Sequence, residues 1–162
     1  MDFKFAQIFK TDNELLKSKV IKFWIDENCM SEKEAGKRIN EALIAILDSD
    51  DNIVSVCSGK PYLVDSVRDW FLYYRTYTRP EYRNKDFAKA LFVTVFDYFD
   101  NLDIRKIEGV DVKGIYVVFE NDILNQSVTN FVTEKSRLTL IGFNEKNQQL
   151  RIAYFKNAEL KK

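Results

Sequence analysis

The sequence has no histidine, two cysteines, two prolines and five glycines in 162 residues, and its 25 Lys and Arg are balanced by 25 Asp and Glu. Without histidine, Ser-His-Asp and Cys-His catalysis and every His-ligated zinc or iron site are excluded. Cys29 and Cys57 are too few for a disulfide scaffold and lack metal-ligand spacing, so a reduced, intracellular chain with no metal is expected. A formal net charge of zero offers no bulk attraction to nucleic acid or to an anionic membrane. No segment approaches the roughly 20 apolar residues of a membrane span, and the N-terminal MDFKFAQIFKTDNELL meets charge every few residues, unlike a signal peptide. A cytoplasmic location is expected, with neither nucleic acid nor membrane as partner.

What is present supports one packed core. Hydrophobic residues make up 46% and charged residues 31%, with no repeat, low-complexity stretch or linker, so residues 1–162 are expected to form a single domain. Phe3, Phe5 and Ile8 alternate as in a first strand. Thr11 with Glu14, and Ser31 with Glu34, have the spacing of capping boxes, predicting one helix through Trp24 toward Ile25 and a second to about Asn40. Ala42–Leu47 and Ile53–Cys57 flank the turn formers Asp48, Asp50, Asp51 and Asn52 as a hairpin. These acidic residues lack the spacing of a calcium loop.

Asp69–Arg79, rich in aromatic and β-branched residues, predicts a central strand ended by Pro80. From about Arg83 the period becomes helical, with Phe87, Leu91, Val95 and Tyr98 on one stripe. Gly114–Glu120 reads as a strand. Asn121 and Asp122 start a helix expected to include Leu124, Val128, Phe131 and Val132. Leu138–Phe143 and Leu150–Phe155 form a terminal hairpin. The order β-α-α-β-β-β-α-β-α-β-β predicts a mixed α/β (α+β) fold: a mostly antiparallel central sheet of about six to seven strands, flanked by about four helices.

The segment Tyr77-Thr78-Arg79-Pro80-Glu81-Tyr82-Arg83-Asn84-Lys85-Asp86-Phe87-Ala88-Lys89-Ala90-Leu91 resembles the core motif of the GCN5-related N-acetyltransferases, in which a central strand enters a Pro-x-Tyr-Arg turn and a glycine-rich loop that opens the next helix. Element order and length match this family over essentially the whole chain. The resemblance implies that acetyl-coenzyme A is bound and its acetyl group passed to an amine of a small molecule or peptide. It also allows a monomer or a homodimer. The implied cofactor-binding residues are Thr76, Thr78, Arg83, Asn84, Lys85, Asp86, Ala88, Lys89 and Asn121. Independently of any family, a strand that turns into a helix leaves unpaired amides at the positive end of the helix dipole, and Arg83, Lys85 and Lys89 add charge suited to a pyrophosphate.

Asp86 stands where the motif's first glycine is required, and Ala88 is an accepted occupant of the second position. Glycine serves there because the backbone must approach the phosphates closely. A carboxylate in its place is repulsive unless it turns away to pair with Lys89 or Arg83 or to cap the helix. Phe131 lies near the position where the family places a proton-donating tyrosine. Tyr73 and Tyr116, on strands, are the candidate proton donors, and Arg75 and Trp24 the candidate substrate contacts; Arg75 could equally form a structural ion pair. A second function class follows from Asp86, Phe131 and the missing histidine: a catalytically inactive chain of the same fold that binds or regulates a protein partner without turning over acetyl-coenzyme A.

Overall fold

The computed structural model describes residues 2–159. Its elements fall into two compact units, which divide after residues 59, 74 and 95: the first and third stretches form one unit and the second and fourth the other.

In the first unit, β1 (Lys4–Gln7) pairs antiparallel with β2 (Ala42–Leu47), and β2 with β3 (Ile53–Val64). Helix α1 spans Glu14–Asp26 and α2 spans Glu32–Arg38. The cap of α1 is Asn13, not Thr11: Asn13 Oδ1 accepts from the Leu16 amide at 3.0 Å, whereas the Thr11 hydroxyl donates back to the Ile8 carbonyl. Both residue types can accept from an orphan amide, and the one nearer the first turn does so here. Beyond the helix end Asn28 turns left-handed, with φ of 52°, and the Cys29 amide is bonded to the Trp24 carbonyl. That is the reversal a helix C-terminus commonly uses to satisfy its last carbonyls. The capping box expected at Ser31 and Glu34 is formed. Leu16, Val20, Phe23 and Trp24 of α1 bury against Ala35, Ala42, Ala45, Leu47, Ile53 and Val56 as the core of this unit.

β3, β4 (Asp69–Thr78) and α3 (Phe87–Asp100) run through both units. In the second unit, β5 (Lys106–Ile107) and β6 (Val110–Asp111) form a small hairpin absent from the sequence reading. Two-residue strands carry no period; the signal was the turn, Glu108 and Gly109, both at positive φ as a tight hairpin turn requires. β7 (Gly114–Val118) pairs parallel with β4, Leu72 facing Ile115 and Tyr73 facing Tyr116. Helix α4 is Asp122–Ser127, and β8 (Thr139–Phe143) and β9 (Gln149–Tyr154) form the terminal hairpin. Gly114 is required where β7 meets β9, because a Cβ there would overlap the Ala153 carbonyl.

The main sheet has seven strands in the order β1-β2-β3-β4-β7-β9-β8, so the expected mixed, mostly antiparallel sheet with four α-helices is observed. The expected reach of α4 is not. Helix geometry ends at Ser127, and Phe131 and Val132 are exposed, with Val132 bridging to Thr139 alongside β8. No helix among the described residues is long and apolar enough to cross a membrane.

Candidate functional site

The segment from the end of β4 into α3 lies in the first unit. Thr78 is buried, its hydroxyl 2.7 Å from that of Ser55, while Thr76 is exposed and its hydroxyl reaches the Val56 carbonyl at 3.3 Å. Neither threonine hydroxyl is left pointing freely at solvent. Pro80–Lys85 forms a 3-10 turn, and Asp86 follows at φ 56°, ψ 20°, in left-handed geometry. The residue at the glycine position therefore has the backbone shape that glycine favours. For an L residue this costs about 1 kcal/mol, less for Asp and Asn than for most. The Asp86 carbonyl accepts from the Ala90 amide at 2.9 Å, so α3 starts there and the amides of Phe87, Ala88 and Lys89 precede its first internal bond.

Arg83, Asn84, Lys85, Asp86, Ala88 and Lys89 are all exposed. The Arg83 Nε donates to the Thr78 carbonyl at 3.3 Å, and its guanidinium lies over the Tyr77 ring. Lys85 Nζ lies 5.4 Å above the Phe3 ring. Among the described residues the Asp86 carboxylate has neither an ion pair with Lys89 or Arg83 nor a helix-capping bond. Asp86, Lys89, Ala90, Val93 and Thr94 line an open depression of about 390 Å3. Three cations, a helix start and a left-handed turn fit a phosphate group; the free carboxylate of Asp86 is the one element of the set that opposes it.

The same unit pairs cations in and just after β4 with two carboxylates that sequence reasoning missed. Arg75 is ion-paired with Glu41, the structural arrangement named as one of its two alternatives. Glu27, at the end of α1, receives the Tyr77 hydroxyl at 3.3 Å and lies 3.2 Å from Arg79 Nε. Burial, with the nearby Cys29 and Glu27, raises the Tyr77 pKa, and burial also raises that of Cys29. No local signal marks Glu27 or Glu41, because each meets its partner from more than 30 residues away. Trp24 does not join this set. At 3% exposure it belongs to the core with Phe23, so its indole cannot line a substrate surface unless the core opens.

In the second unit Tyr73 and Tyr116 stand side by side across the parallel pair, with ring centroids 5.3 Å apart. Tyr62, from β3, completes the group: its ring stacks on Tyr116 at 5.3 Å and lies 5.5 Å from Tyr73. Tyr62 was also missed, because only strand pairing brings it here. Desolvation first, and the neighbouring phenols second, push the Tyr116 pKa up to about 12. Asn121 caps α4 by accepting from the Leu124 amide at 3.0 Å.

The residues after α4 are held by β9. The fully buried Arg151 donates to the carbonyls of Asn130 (2.7 Å), Leu138 (3.0 Å) and Phe131 (3.3 Å), and to the Gln149 side chain. Gln149 in turn donates to the carbonyls of Asn125 and Val128. These carbonyls are thus committed to side chains rather than to helix amides, and Phe131 is 76% exposed.

No family model matches the chain and no curated protein matches it in sequence. Solved structures match it in shape. The ribosomal-protein-S5-alanine acetyltransferase of Vibrio fischeri aligns with a TM-score of 0.62 at 10% identity, covering 99% of this chain and 97% of that one. A mutant form of the spermidine/spermine N-acetyltransferase of Vibrio cholerae aligns with a TM-score of 0.56 at 16% identity, covering 93% and 92%. A GNAT-family acetyltransferase of Bacillus anthracis aligns with a TM-score of 0.57 at 12% identity, covering 97% of each chain.

Proposed function

This chain has the fold of the GCN5-related N-acetyltransferases, and from that premise we propose that it is an acyl-coenzyme A-dependent N-acetyltransferase acting on a primary amine. The observation that carries the reading is the junction of β4 and α3, where Asp86 takes the left-handed geometry of a phosphate-binding loop although the loop has no glycine. Bound acetyl-coenzyme A supplies an acetyl group already activated as a thioester. Arg83, Lys85 and Lys89, with the first amides of α3, hold its phosphates. Backbone amides near Thr76 and Thr78 polarise the carbonyl under attack.

In the transfer the neutral amine forms the new C–N bond as the C–S bond breaks, one proton leaves nitrogen and the departing sulfur gains one. Glu27 and Glu41 are poor proton acceptors for this step, since their oxygens are committed to Arg79 and Tyr77 and to Arg75. Water takes the amine proton. Tyr73 and Tyr116 are the candidate hydroxyl donors of the second unit. With its pKa raised to about 12, Tyr116 gives up a proton to a thiolate of pKa near 8.5 only at a cost of roughly 4 to 5 kcal/mol, so water also supplies the proton that the departing sulfur gains.

Calorimetric titration with acetyl-coenzyme A is the direct test. Measurable heat with one site per chain is the expected result, and no heat at high protein concentration overturns the reading. The exposed, unpaired Asp86 carboxylate also supports the second reading, an inactive chain that binds or regulates a protein. Binding that is absent in the native chain and created by Asp86→Gly decides for it.

A further inference from the structure

We propose that Phe3, before the first strand, is a positioning residue that staples the β4–α3 loop into its phosphate-receiving shape; for its role in binding, this rests on the acetyl-coenzyme A reading above. The loop needs an external support. It contains no glycine between Arg79 and Leu91, and Asp86 is left-handed between two residues, Lys85 and Phe87, that are not. Phe3 touches the chain on both sides of that strained residue. Its ring meets Phe87 edge-on at 4.8 Å and Tyr82 edge-on at 5.9 Å, and Lys85 Nζ lies over its face. Tyr82 and Phe87 in turn lie nearly parallel at 6.2 Å. One side chain therefore fixes the turn, one phosphate-binding cation and the first residue of α3 together.

The base of the staple is itself fixed. Lys4, the next residue, is ion-paired with Asp51 and pairs with Leu47 in the β1–β2 ladder. Phe3 thus projects from a held backbone and reaches residues about 80 positions later. Edge-on aromatic contacts and an ammonium over a ring face are directional, so they select one loop geometry and do more than bury area. In glycine-rich loops the backbone reaches such a geometry without strain; here it is imposed by a ring from the other end of the chain.

The test compares the native chain with Phe3→Ala, Phe3→Tyr and Phe5→Ala, the last being a half-exposed neighbour on β1. Hydrogen exchange is measured without ligand, and acetyl-coenzyme A affinity is measured by calorimetry. In Phe3→Ala, amides 82–90 are expected to exchange about five- to tenfold faster, and affinity to fall by a similar factor. Phe3→Tyr, which keeps the ring, restores both, and Phe5→Ala changes neither. The staple is overturned if exchange in 82–90 is unchanged, if it rises equally throughout the chain, or if the loop loosens while affinity stays constant. A native chain that does not bind acetyl-coenzyme A sinks the functional reading instead, and the exchange result then decides the staple alone.

Discussion

Two segments depart from the pattern they resemble, and the structure resolves them in opposite ways. The β4–α3 loop lacks glycine but keeps the expected path, because Asp86 accepts left-handed geometry and the surrounding aromatic rings hold it there. The segment after α4 has helical spacing but leaves the expected path, because Arg151 and Gln149 of β9 capture the carbonyls of Asn125, Val128, Asn130 and Phe131. Ring contacts keep the first on its path, and hydrogen bonds from a distant strand divert the second. A weak helical preference over seven residues, all but Phe131 polar or β-branched, is worth less than several side-chain hydrogen bonds, those of Arg151 charge-assisted, inside the protein.

Breaking Arg151 should give the largest effect. Arg151→Met leaves the Asn130 carbonyl and the Gln149 side-chain oxygen without a donor and takes one of two donors from the Phe131 and Leu138 carbonyls, and a loss of about 2 kcal/mol is expected in chemical denaturation. A loss below about 1 kcal/mol would show that the strap is held by something else. Tyr116 provides the next contrast. Its folded pKa of about 12 lies above the ordinary value near 10, so the neutral phenol is the form the fold favours. The stability this gives is fully present below pH 10 and is lost as pH rises through 10 to 12. Over that window thermal melts should therefore show the native chain losing stability relative to Tyr116→Phe; parallel curves would contradict the buried phenol.

Asp86 separates shape from charge within the loop. Asp86→Ala removes the carboxylate but keeps a Cβ in left-handed geometry, so stability should fall slightly while acetyl-coenzyme A affinity rises. Asp86→Gly relieves strain of about 1 kcal/mol, partly offset by a freer unfolded chain, for a net gain near 0.5 kcal/mol. Its affinity should rise by about tenfold or more, since a like charge near a phosphate is removed and the backbone can approach. Equal affinities for Asp86→Ala and the native chain would assign the penalty to shape alone. Phe131→Tyr should change least, under about 0.5 kcal/mol in stability and nothing in transfer rate. A gain in rate would place Phe131 in the reaction despite its exposure.

The local features of the fold were legible. The capping box at Ser31, the turn at Asp48–Asn52 and the strand-turn-helix from Asp69 to Leu91 depend on residues close in sequence. The α1 cap was read two residues early, because Thr11 and Asn13 offer the same acceptor chemistry. In the candidate site, the loop cations could be read directly, but Glu27, Glu41 and Tyr62 could not, since each acquires its partner through strand pairing or a helix end meeting a strand. Trp24 shows the converse: a large aromatic at helical spacing reads the same whether it faces a core or a cleft, and here it faces the core.

By itself, the sequence determined the order of elements and the chemical inventory: no histidine, no glycine in the loop, three cations beside a helix start. Composition and short-range periodicity are enough for those. Tertiary structure alone decided that Asp86 takes left-handed geometry, that burial raises the Tyr116 pKa, and that α4 ends at Ser127. Each depends on partners tens of residues away, through desolvation, ring contacts and buried hydrogen bonds that exist only once the chain has folded.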